Sequence, residues 1–183
     1  MNSTYNFTTM DLRATILSER SKAQTNKIIK WIGSDQKRFD ELFKLFLNDE
    51  YHVVQRAAWP LSYCVINHPQ LIQKHFSKLV KNLSRQNTGD SVKRNTVRLL
   101  QHISIPKQFH GEIMSICFNY ISDPKEKVAI KAFSLSILQN LCCQYPEIRQ
   151  EIKTIIEDRW DYETAAFHSR ARKILKELSS EKH

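Results

Sequence analysis

At 183 residues, with 41% hydrophobic and 10% aromatic side chains, the chain is long enough to bury about 70% of its unfolded surface in one core, which excludes global disorder. Its three glycines, Gly33, Gly89 and Gly111, are too few for the turns of a sheet-rich fold and too scattered for a phosphate-cradling loop. A formal charge of +9 and a pI near 9.4 point to an acidic partner.

The chain opens on the polar stretch Met1-Asn2-Ser3-Thr4-Tyr5-Asn6, which lacks the basic start and apolar run of a secretory signal. Helices are expected near 9–19 and 21–32, then at 36–48 with Phe39, Leu42, Phe43 and Phe46 on one face. One follows at 50–67, interrupted by Trp59-Pro60, where proline removes a hydrogen bond to the Arg56 carbonyl and bends the helix. Pro69 opens 69–84, which carries Phe76, Leu79, Val80 and Leu83. The remaining helices are expected at 90–104, 106–122, 124–144, 146–158 and 162–178. Pro106, Pro124 and Pro146 stand at three of these starts, where a first helical turn tolerates proline. No segment approaches the roughly 18 apolar residues of a membrane span. Cys64, Cys117, Cys142 and Cys143 sit in apolar helical patterns without metal-ligand spacing, so they read as reduced thiols of a cytoplasmic protein. Adjacent Cys142 and Cys143 leave a redox pair open.

These helices repeat. In the second helix of each of the last four pairs, an apolar–small–apolar triplet recurs at offsets −4, 0 and +3: Val54-Ala58-Leu61, Val92-Thr96-Leu99, Val128-Ala132-Leu135 and Phe167-Ala171-Ile174. The small residue steps by 38, 36 and 39 positions. These offsets share one helix face, and a small central residue lets the next pair approach closely. Each pair alone leaves an apolar face exposed, so stacking completes the core. The expected organisation is a single domain over 1–183: a capping pair at 9–33, four repeats at 36–178 and a polar tail at 179–183.

With this period, and with a basic residue beside the small one in Val54-Gln55-Arg56-Ala57-Ala58, Val92-Lys93-Arg94-Asn95-Thr96, Val128-Ala129-Ile130-Lys131-Ala132 and Ser169-Arg170-Ala171, residues 36–178 resemble the HEAT and armadillo class. The resemblance implies an all-α fold, a right-handed α-α superhelix of about five antiparallel helix pairs. The stretches Arg56–Cys64 and Val92–Leu100 are also similar to a small family of bacterial HEAT-like proteins, some bearing an adenylosuccinate lyase name. Such a lyase needs a flexible Gly/Ser-rich loop presenting a catalytic serine, and no segment of this chain matches one.

The resemblance places the second helices on a concave face. The groove residues expected there are Arg56, Trp59, Tyr63, Lys93, Arg94, Asn95, Arg98, Lys131, Arg170 and Lys173, with His102 beside them. Their cations suit a polyanion or an acidic peptide, and the aromatics could stack or hydrogen-bond. The competing reading is a ladder in which Arg56 and Arg94 pair with Asp49, Asp90 or Asp123. Enzymatic signals are thin. His68 and His75 have no acidic or cysteine companions for zinc. Glu157, Asp158 and Asp161 suit helix ends as well as an acid–base site. Alkylpurine DNA glycosylases are HEAT-like enzymes with a comparable basic cleft, but no motif aligns residue by residue. The sequence therefore points to a non-enzymatic scaffold for a protein or peptide, without cofactor or metal, with a nucleic-acid-binding module as the alternative.

Overall fold

The computed structural model describes residues 10–85 and 87–180; the polar start at 1–9 and residues 181–183 of the tail lie outside them. Among the described residues there are ten α-helices and no strand. They are α1 (Leu12–Ser18), α2 (Lys22–Ile32), α3 (Gln36–Asn48), α4 (Tyr51–Asn67), α5 (Phe76–Leu83), α6 (Asp90–Leu100), α7 (His110–Ser122), α8 (Val128–Leu141), α9 (Ile148–Arg159) and α10 (Ala165–Ser180).

Local chemistry sets the early boundaries. Asp11 and Ser21 cap α1 and α2 by accepting the amides of Ala14 (2.9 Å) and Gln24 (3.0 Å). The Asp35 carboxylate takes the amides of Lys37 and Arg38. Gly33 closes α2 at φ 51°, a conformation that strains residues with a Cβ.

The expected proline starts need correction. Pro69–His75 and Lys107–Phe109 are 3-10 turns that precede α5 and α7. Short i→i+3 turns of this kind are frequent at helix N-termini. The helix expected from 124 begins only at Val128. Asp123 accepts the Lys125 amide at 2.8 Å, and Glu126 turns away to meet Lys93. Likewise the helix expected to reach 104 ends at Leu100 in a turn. α4 runs unbroken through Pro60, which is buried.

α3 packs on α4 and α7 on α8, while α4, α6, α8 and α10 pack on one another in succession. α1 and α2 both rest on α4 at the head of this row. Phe39, Phe43 and Phe46 of α3 are fully buried, each stabilising by about 1.5–3 kcal/mol relative to exposure. Phe76, Leu79, Val80 and Leu83 of α5 are buried as their spacing predicts.

The stacking stripe is buried throughout in α6 and α10, holds at Ala58 and Leu61 of α4 beside a half-buried Val54, and shifts in α8. Ala58, Thr96 and Ala171 are buried at the seams, but Ala132 is only half-buried, as is Val128. The buried triplet of α8 is Ile130-Ser134-Ile137, two residues further on. With Ser134 in place of Ala132, the column steps by 38, 38 and 37. The two-residue correction matters for charge, because it turns Lys131 into the seam.

Candidate functional site

The corrected register separates the basic residues into two columns. Three positions before the small residue stand Gln55, Lys93, Lys131 and His168; two positions before it stand Arg56, Arg94, Ala132 and Ser169. The first column forms rungs between repeats. Lys93 Nζ meets Glu126 Oε2 at 2.8 Å, and Lys131 Nζ meets Glu163 Oε1 at 2.5 Å. Arg159 also donates to Glu163 Oε1 at 3.2 Å. Each acid comes from the segment entering the next second helix. At the head of the row, Arg13 makes a comparable pair with Asp49 at 3.0 Å, which lowers the Asp49 carboxyl through its hydrogen bond.

Lys131, expected in the groove, is thus 1% exposed and neutralised within the stack. Asn95 is also interior: it donates to the Ser91 carbonyl at 2.8 Å, and its Oδ1 accepts from Ser62. A ladder of the expected kind exists, but Arg56 and Arg94 do not build it. Arg56 donates to the Leu17 carbonyl at 2.7 Å, and Arg94 is exposed without a partner among the described residues.

The second column faces a trough across α4 and α6. Arg56 and Arg94 border one hollow with Arg20, Trp59 and Gln55. Arg20 and Arg94 border an adjoining hollow of about 370 Å³ with Lys127, Asp90 and Ser91. Four cations therefore surround the seam where the Ser91 hydroxyl donates to the Gln55 carbonyl at 3.0 Å. Two carboxylates, Glu19 and Asp90, share that wall, so the local balance stays positive.

Trp59 is half-buried on this wall, and its ring lies 6.4 Å from that of Tyr63. The Arg98 guanidinium lies 4.1 Å from the Tyr63 ring centroid, and its hydrogen bond to the phenol lowers that hydroxyl's pKa. Arg170 is half-buried and Lys173 exposed near Glu177 at 3.9 Å; neither lines the hollows that hold Arg56 and Arg94. Arg20 escaped the sequence reading because it sits in the link between α1 and α2, outside any repeat, and only packing on α4 brings it in.

His75, Cys64 and Cys117 are packed into the stack. His75 Nε2 is 2.6 Å from Asp40, and its ring stacks on Phe43 at 4.4 Å. Among the described residues no group of three or more His, Cys, Asp or Glu is arranged to hold a metal. Burial pushes the thiols of Cys64 and Cys117 up to about 12, with Ser134 partly opposing at Cys117. Cys142 is buried and Cys143 exposed. No helix among the described residues is long and apolar enough to cross a membrane.

A family model described as a HEAT repeat domain matches residues 12–178. Comparison with curated proteins and with solved structures found no match.

Proposed function

The chain belongs to the HEAT repeat domain family, and on that premise we propose that it is a non-enzymatic scaffold that binds an acidic segment of a protein or peptide along its α4–α6 trough. Helical repeat stacks present extended surfaces suited to such partners. In this reading residues 9–33 cap the array and 36–178 form four repeats, with α10 running on to Ser180.

The observation that carries the proposal is a division of labour among cations. Lys93 and Lys131 are matched by Glu126 and Glu163 inside the stack. Arg20, Arg94 and Lys127 are exposed around one seam, and no side-chain carboxylate among the described residues pairs with them. Charge arranged this way accelerates encounter with an acidic partner and fixes its register.

The test is a triple reversal, R20E/R94E/K127E, titrated with a fluorescent oligoglutamate peptide. Affinity should fall by roughly tenfold or more with helicity unchanged, since the three side chains are on the surface. Undiminished affinity would sink the assignment. A nucleic acid is the second reading, favoured by Trp59 on the same wall. Tighter binding of a single-stranded oligonucleotide than of the peptide, with quenched tryptophan emission and a steep salt slope, would decide for it.

A further inference from the structure

The rung ladder has a gap. In the seam between α6 and α8, Lys93 Nζ pairs with Glu126 and lies 5.2 Å from the centroid of the Tyr120 ring. Tyr120 closes the first helix of its repeat, and burial, with Glu126 adding to it, pushes its hydroxyl pKa up. Thirty-eight residues earlier, one repeat back, the same three positions are Gln55, Thr88 and Asn82. Lysine, glutamate and tyrosine are replaced by smaller, neutral side chains.

The vacated volume has not collapsed. Gln55, Asn82 and Thr88 all line a cavity of about 250 Å³, walled by Phe46, Val54 and Val92 with Tyr51 at its rim. A cavity of roughly 150 Å³ already accommodates benzene. The polar part of the lining is rich in donors. Asn82 is 7% exposed, and its Oδ1 accepts from Arg85 Nη1 at 3.1 Å. A guanidinium only donates, so this contact fixes the amide's orientation and turns the donor group Nδ2 of Asn82 away from Arg85. The α6 N-terminus also borders the cavity at Gly89, which brings no capping side chain to its first amides. Among the described residues no carboxylate lines the space.

We propose that this cavity binds a carboxylate carried on a ring-sized apolar body, which restores the ring of Tyr120 and the carboxylate of Glu126 to the seam that lacks both. The apolar walls take the ring, and the Asn82 amide and the α6 N-terminus take the anion. The site adjoins the basic trough through Gln55 and Ser91, but Arg20, Arg94 and Lys127 do not line it. Two sources offer this chemistry: a free aryl carboxylic acid, and the C-terminal aromatic residue of a peptide.

The experiment is an NMR titration of the full chain with phenylacetate, with phenylacetamide as neutral control. Phenylacetate should saturate, shifting the amides of Ser91 and Val92 and the side-chain NH2 of Asn82, while the control binds roughly tenfold more weakly. No saturation by tens of millimolar, or equal binding of acid and amide, overturns the proposal. Asn82→Tyr supplies the missing ring and should abolish binding while raising the thermal midpoint. If it fails to fold, Thr88→Glu tests the same point by placing a carboxylate where the next repeat has Glu126. Undisturbed phenylacetate binding in a folded variant overturns the location. The peptide acetyl-Gly-Gly-Phe distinguishes the sources: tighter binding than phenylacetate assigns a protein C-terminus, weaker binding a free acid, and either outcome supports the site. The trough reversal R20E/R94E/K127E should leave phenylacetate affinity unchanged, so the two proposals fail separately.

Discussion

Three donors converge on the Asp40 carboxylate of α3: Lys74 Nζ and His75 Nε2 at 2.6 Å each, and Gln36 Nε2 at 2.9 Å. Burial pulls this carboxyl upward, but the hydrogen bonds from Lys74, His75 and Gln36 outweigh it and hold it at about 2, against an ordinary 3.8. The folded value lies below the unfolded one, so the group's stabilisation is fully present above the unfolded value. It is lost as pH falls from about 4 through about 2. Asp40→Asn should therefore flatten the acid limb of the thermal midpoint across that window. An unaltered limb would place the acid sensitivity elsewhere. The contact joins α3 to the turn before α5, so His75, weighed as a metal ligand in the sequence, acts as a clasp between repeats.

At the scale of the element, α8 shows how a stripe read from residue type can slip. Ala132 is small and follows Val128, so it fits the apolar–small–apolar template. The helix is nonetheless rotated to bury Lys131 and Ser134, because Glu163 lies across the seam at the height of Lys131. This rotation can be checked with two leucines. Ser134→Leu should lower stability by about 1–3 kcal/mol through overpacking, whereas Ala132→Leu should stay within about 0.5 kcal/mol. Urea unfolding midpoints would measure both, and equal losses would contradict the 38-residue register. The proline-led starts follow similar logic. Pro69 and Pro106 lead through short 3-10 turns, while Pro124 sits in the turn that delivers Glu126 to Lys93.

Across the whole molecule, each repeat is held by its neighbours, and the rungs are the polar part of that coupling. Glu163 is 4% exposed at its side chain and is shared by Lys131 and Arg159. Lys131→Met removes its nearer cation and leaves a buried carboxylate only partly compensated, at a cost of about 3 kcal/mol. Because the main helix contacts among the described residues run between adjacent units, hydrogen exchange should accelerate in α9 and α10 far more than in α3 and α4. Uniform acceleration along the chain would contradict nearest-neighbour coupling. The seam between α4 and α6 lacks a charged rung and holds instead the cavity of about 250 Å³. The break in the ladder and the open space therefore coincide.

Residue order alone specified the helical class, the repeat length near 38 and the faces of α3 and α5, because periodic burial writes itself into periodic hydrophobicity. It also set Arg56, Trp59 and Arg94 on the second helices, and the three side chains border one hollow. What it could not decide was which cations stay free. Arg94 and Lys131 look alike beside a small residue, and they part company only when the rotation of α8 buries one against Glu163. Arg20 and Lys127 join the trough from segments outside the repeated stripe. Their places depend on how one unit rests on the next, which is a property of packing between elements rather than of any element's own pattern.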